Sequence, residues 1–272
     1  MTQALKLSPE IITLQENIAS LKQELGIVIF ERDEMLNTVK PNLEAEYQKK
    51  IGYKELERME TEITARRFKR QIELIQAAVN RQESIEEKEI NKQLDDEFQK
   101  WYKKIEDQYQ KVKEAEHRLS SLMSDDENEE FKKLYRQLVF KLHPDLNPNQ
   151  TKDEENLWHR VQLAYEGGDL EEMRSLAIIL DAQHETIELP SSKDVLQKRK
   201  QKLTEQIQKT INTMSELEQK FPFNIIGKLA DNDWVNTKVE EIQEQVNQWQ
   251  EKCKHYEDLI KVLLVNKSAG VN

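Results

Sequence analysis

Residues 124–168 read SDDENEEFKKLYRQLVFKLHPDLNPNQTKDEENLWHRVQLAYEGG. Ser124 stands three residues ahead of Glu127, the pair that closes a capping box. The hydroxyl takes the amide of the third helical residue, and the carboxylate reaches back to the serine amide. The helix so started carries Phe131, Leu134, Tyr135, Leu138, Val139 and Leu142 on one side. That face has the breadth of a globular core rather than of a two-stranded seam. The other side carries Lys132, Lys133, Arg136 and Lys141. The helix runs into His143-Pro144-Asp145, where proline lacks an amide hydrogen and pushes the preceding residue out of helical geometry, so the ladder stops. A polar loop, Gln150 to Glu155, leads to a second helix with Trp158, Val161, Ala164 and Tyr165, ended by Gly167-Gly168. Asp169 caps a third helix, with Glu172 completing another capping box and Met173, Leu176, Ala177 and Leu180 as its apolar side.

Outward from this module, residues 123–186, the pattern narrows. Upstream, Ser8-Pro9-Glu10 reads as N-cap, first-turn proline and first-turn acid. Ile11, Leu14, Ile18, Leu21, Leu25 and Val28 then form a heptad stripe, which Met35 and Val39 resume. Pro41 is expected to end this helix and start the next, turned back antiparallel. The pattern continues to Leu122 with no further proline, and an irregularity is expected near Gly52 or around Asn80 to Ser84. Downstream, Pro190-Ser191-Ser192 reads as loop and cap, followed by a helix with Leu203, Ile207, Met214, Leu217 and Phe221. Phe221-Pro222-Phe223 and Gly227 break it. The last helix has the cleanest heptads: Val235, Val239, Ile242, Val246, Trp249, Cys253, Tyr256, Ile260 and Leu263. The expected architecture is all-α and elongated. It has a helical arm at 1–122, the module at 123–186 and an antiparallel coiled-coil hairpin at 187–272. The arms close on each other's seams or on a second copy of the chain, and bind a protein client or assembly.

Composition supports long helices. Of 272 residues, 37% are hydrophobic and 34% charged, with Gly and Pro at six each, too little apolar material for one large spherical core. A net charge of −11 argues against nucleic acid as a partner. The most basic run, Arg66-Arg67-Phe68-Lys69-Arg70, reads as a solvated flank pairing with Glu60, Glu62 and Glu73. The single cysteine, Cys253, fits a reducing compartment and a small buried hydrophobe at a seam. The start of the chain has no secretory pattern, and the longest apolar run, Ile27 to Phe30, is far short of a membrane span. The expected location is the cytoplasm. The five histidines show no metal-ligand spacing. There is no phosphate-binding glycine loop, serine elbow or paired-carboxylate motif. No catalytic residue, metal or cofactor is expected.

The central segment resembles the J domain of DnaJ-type co-chaperones. That family shows a basic helix reading roughly Tyr-Arg-x-Leu-Ala-x-x-Tyr, then His-Pro-Asp, a polar loop, and Phe-x-x-Ile-x-x-Ala-Tyr. Here the counterparts are Tyr135-Arg136-x-Leu138-Val139-x-x-Leu142, His143-Pro144-Asp145 and Trp158-x-x-Val161-x-x-Ala164-Tyr165. The resemblance covers about sixty residues, since the coiled-coil arms lie outside the family pattern. The short Tyr-x-x-Leu-Gly helix that usually precedes the basic helix has no counterpart, and the helix ending near Leu122 is expected in its place. Gly167-Gly168 interrupts a stretch that the family continues as helix. The resemblance implies that the chain docks a DnaK-type chaperone and speeds its ATP hydrolysis. Lys132, Lys133, Arg136 and Lys141 would meet an acidic surface. His143 and Asp145 would make the specific contacts, with Pro144 fixing their shape. Both side chains are expected to lie in the loop, outside the core. The alternative is a structural adaptor in which this hairpin serves only as a rigid interaction module.

Overall fold

The structure, a computed structural model, describes residues 8–84, 86–181 and 192–268. It is all-α, with no strand among the described residues. The helices are α1 Pro9–Glu34, α2 Lys40–Tyr47, α3 Tyr53–Asn80, α4 Glu87–Ser120 and α5 Asp125–Leu142. They continue with α6 Lys152–Gly167, α7 Leu170–Asp181, α8 Lys193–Glu218, α9 Ile226–Ala230 and α10 Asn232–Ser268.

Local chemistry fixes the ends and the irregular turns. Ser8 Oγ accepts from the Ile11 amide, with Pro9 at the first helical position. Pro41 does not end the helix as expected. It lies inside α2, preceded by a π-helical turn at Met35–Val39 in which the Lys40 amide reaches back to the Met35 carbonyl. Widening the turn relieves the clash between a proline ring and the carbonyl four residues earlier, so the chain absorbs the proline without a break. A second π turn, Gln48–Gly52, precedes α3. A Cβ on Gly52 would meet Gln48 Oε1 at 2.0 Å, and Gln48 Oε1 accepts from Gln108 Nε2 at 2.7 Å. Both expected positions are therefore irregular: this turn at Gly52, and the break between α3 and α4.

The chain folds as two compact units. The first comprises the described parts of Met1–Pro41 and Leu122–Asn224, the second Asn42–Ser121 and the described part of Ile225–Asn272. The boundary at Ser121/Leu122 falls beside the expected 122/123 limit, and the expected 186/187 limit lies outside the described residues, as do Pro190 and Ser191.

In the first unit α1 and α8 start together, with Glu10 Oε2 accepting from Lys193 Nζ at 2.6 Å, and run side by side. Leu196, Leu203 and Ile207 of α8 share one core with Ile18, Leu25 and Ile29 of α1 and with α5, α6 and α7. In the second unit α3 and α4 are antiparallel, and α10 runs parallel to α3. Lys54 Nζ donates to Gln243 Oε1 (2.6 Å), and further along Ile72 and Ile75 pack on Ile260. The α10 seam has the buried residues expected of it, including Val235, Ile242, Val246 and Ile260. Its partner is α3, however, and the partner of α8 is α1. Within the units, α8 thus packs along α1 and α10 along α3, in place of the hairpin partners expected. Each seam packs instead on a helix distant in sequence.

Candidate protein-docking site

Two capping boxes set the hairpin that carries His143-Pro144-Asp145. At α5 the Glu127 amide donates to Ser124 Oγ (3.4 Å) and the Ser124 amide to Glu127 Oε2 (3.0 Å). At α6 the Glu154 amide donates to Thr151 Oγ1 (3.3 Å) and the Thr151 amide to Glu154 Oε2 (2.6 Å). Gly168 ends α6 in the left-handed conformation at φ 67°, which costs a glycine little. Asp169 Oδ1 then accepts from the Glu172 amide at 2.9 Å. The Glu172 carboxylate goes to Arg160, at 2.9 and 2.6 Å, so the third expected capping box is only half made.

Antiparallel packing of α5 on α6 stacks aromatic rings. Tyr135 lies on Tyr165 at 3.6 Å between centroids, Phe131 on Tyr165 at 5.3 Å and Tyr135 on Trp158 at 6.3 Å. The place of a preceding helix against α5 is taken by α1, not by the helix ending near Leu122. Asp33 Oδ2 accepts from the buried Tyr135 hydroxyl at 2.6 Å, and its other oxygen from Arg32. Gly26 lets the helices close, since a Cβ there would lie 2.3 Å from the Phe140 ring. Burial and the Asp33 carboxylate push the Tyr135 hydroxyl far above its ordinary range, and burial pushes Tyr165 up to about 12, so both remain protonated.

The tripeptide loop is closed by its own backbone. The His143 amide donates to the Val139 carbonyl (2.9 Å), and the His143 carbonyl accepts from the Leu146 and Asn147 amides (3.0 and 2.9 Å). Nδ1 of His143 accepts from the Asp145 amide at 3.1 Å, and the ring sits edge-on to Trp158 at 4.9 Å. His143 is 7% exposed. Its side chain is thus part of the core and the internal clamp of the loop, contrary to the expectation that it lies outside. Pro144 and Asp145 are exposed, as expected for Asp145.

Burial holds the His143 imidazole below the ordinary histidine range. Arg32 adds to this effect, while Asp145 and Asp33 oppose it. Protonation would also place a second N–H against the Asp145 amide. An unfolded histidine titrates near ~6.5, so below that pH the unfolded chain binds more protons than the folded one. Stability from this group is complete above ~6.5 and falls as the pH drops below it. Thermal melts followed by circular dichroism should show a lower midpoint at pH 5.5 than at 7.5, with a smaller drop in His143→Asn. Equal drops in the two proteins would place the titration elsewhere.

The expected cations are dispersed. Lys132 pairs with Glu34 of α1. The Arg136 guanidinium lies 4.5 Å over the Phe30 ring. Lys133 and Lys141 are exposed on α5. Asp145 Oδ1 accepts from Gln206 Nε2 of α8 at 2.9 Å. Phe30, Asp33, Glu34 and Gln206 thus belong to the site, and no motif in the sequence marks any of them. The run Leu25 to Phe30, with Gly26 inside it, was the available signal: it is too wide for a heptad seam and puts Asp33 on the buried face at i+4 from Ile29.

Elsewhere, Arg66, Arg67 and Arg70 bond to Glu62, to Asp95, and to Glu73 and Glu97, so this run is a paired flank. Burial raises the Cys253 thiol, whose Sγ lies 3.5 Å from the Thr61 carbonyl, which keeps it a poor nucleophile. Among the described residues, no cluster of His, Cys, Asp or Glu is arranged to hold a metal ion, and no helix is long and apolar enough to cross a membrane. No protein-family model, curated protein or solved structure matches the chain.

Proposed function

We propose that this protein is a co-chaperone that docks a DnaK-type chaperone through α5 and the His143-Pro144-Asp145 loop and stimulates its ATP hydrolysis. In this reading it works in the cytoplasm and performs no chemistry itself, and the long helices of the second unit engage a client or assembly. The observation that carries the reading is the loop. A buried His143 clamps the backbone, which leaves Pro144 and Asp145 displayed at the end of an antiparallel hairpin beside exposed Lys133 and Lys141. Such a preorganised display suits recognition, because little freedom is lost on binding.

One observation favours the adaptor reading instead. Lys132, Arg136 and Asp145 already have partners within the chain, which leaves less of the face for a second protein. Single-turnover ATP hydrolysis by the DnaK-type chaperone of the same organism separates the two. Under the co-chaperone reading the wild type accelerates hydrolysis. Lys133→Glu then weakens the effect by about three- to ten-fold at low salt and by less at 0.5 M salt, where the Debye length has shrunk to a few ångströms. An unchanged ATPase with excess wild-type protein supports the adaptor.

A further inference from the structure

The geometry points to α8 as the second wall of the docking surface: Gln206 orients the Asp145 carboxylate, and Lys202 and Lys209 extend the cationic face of α5 past it, toward an acidic surface of the same chaperone. The inference rests on the co-chaperone reading and adds a helix that lies outside the region of J-domain resemblance.

Three observations carry it. First, Gln206 is not a casual surface contact. Its Nε2 donates to Asp145 Oδ1 at 2.9 Å, while its own Oε1 is buried and has no hydrogen-bond partner. A buried amide oxygen without a donor is unfavourable. Turning the amide over would set that oxygen against the Asp145 carboxylate, so the carboxylate fixes the orientation of Gln206 and is held by it in return. Second, α8 is firmly seated. Leu196, Leu203 and Ile207 are buried in the core shared with α1 and α5, so the helix presents a fixed flank rather than a loose cover. Asp145 remains exposed beside it. Third, the charge on α8 is opposite to that of the chain as a whole. Against a net −11, the stretch from Lys193 to Lys209 carries Lys193, Lys198, Arg199, Lys200, Lys202 and Lys209 with only Asp194 and Glu205. Lys202 and Lys209 lie four residues before and three after Gln206, hence one turn to either side on the same flank, and both are exposed. Lys202 and Lys209 then flank the Gln206–Asp145 contact, so a partner with an acidic patch that meets Asp145 would meet α8 as well.

The test measures association of the full-length chain with the ATP-bound DnaK-type chaperone of the same organism. Lys202→Glu/Lys209→Glu is expected to lower the association rate constant about ten-fold at 50 mM salt and far less at 0.5 M, with little change in dissociation. Gln206→Met keeps the side-chain length, so the helix stays seated. It is expected to raise the dissociation rate and lower maximal stimulation while leaving the salt dependence as in the wild type. Unaltered melting curves establish that both variants fold. If Lys133→Glu slows association and the α8 double variant does not, the inference is wrong and the docking reading stands. Faster association of either α8 variant would make α8 a cover over the loop and overturn the inference equally. A wild type that does not bind the chaperone overturns both.

Discussion

Trp158→Ala is expected to destabilise the first unit by about 3–5 kcal/mol, the loss typical of removing a buried indole. Trp158 is 8% exposed and stands between the stacked tyrosines and the tripeptide loop. Its ring lies 6.3 Å from Tyr135 and 4.9 Å from His143. Truncation would open a cavity bordered by both helices of the hairpin and would remove the surface against which the imidazole rests. Domains of this kind are stable by about 5–15 kcal/mol, so the change removes roughly a fifth or more of the margin. Urea titration followed by circular dichroism should show an early transition in the variant. Trp158→Phe retains a ring and should lose about half as much or less. A variant within ~0.5 kcal/mol of wild type would contradict the packing described, since that is the range of ordinary surface substitutions.

Much of this hairpin was legible because its signals are local. The Ser124 capping box, the broad face from Phe131 to Leu142, the stop at Pro144 and the left-handed Gly168 each depend on residues within one or two turns. The pairing of the long helices was not legible in the same way. A heptad seam states which face is buried and how wide it is, but seams built of Leu, Ile and Val are chemically alike and do not name their partners. Leu203 and Ile207 read equally well against α10 or α1. The choice of α1 shows only in long-range details: Lys193 on Glu10 at the start, and the core that Leu203 and Ile207 share with Ile18, Leu25 and Ile29 further along.

Pro41 illustrates a related limit. Proline usually ends a helix through the lost amide and the crowded carbonyl, and both penalties were counted. The wide turn at Met35–Val39 removes the second, so the helix continues. The burial of His143 was missed for a similar reason. The tripeptide marks a loop, loops are ordinarily exposed, and only the position of Trp158 on the facing helix turns the imidazole inward. The candidate site divides accordingly. Its exposed part, Pro144, Asp145, Lys133 and Lys141, follows from sequence. The framework of Phe30, Asp33, Glu34 and Gln206 comes from helices whose proximity the sequence does not encode locally.

Under the proposed co-chaperone function, Asp145→Asn is expected to reduce stimulation of the chaperone ATPase to the basal rate while leaving the fold intact. The side chain is exposed, and asparagine retains an oxygen that can accept from Gln206 Nε2, so the melting midpoint should stay within about a degree or two of wild type. What changes is the charge offered to the partner. Removing one member of a hydrogen-bonded charge pair at an interface costs about 2–5 kcal/mol, which is a loss of affinity of roughly 30-fold or more. His143→Gln is the less informative variant in this chain. It removes a buried ring from Trp158 and alters the Nδ1 clamp on the Asp145 amide, so lost activity would mix folding with recognition. The comparison therefore uses Asp145→Asn and wild type under single-turnover conditions, with circular dichroism on both. If the wild type stimulates hydrolysis and Asp145→Asn does so equally well, docking does not run through this carboxylate. The exposed lysines of α5 and α8 would then have to hold the chaperone without it.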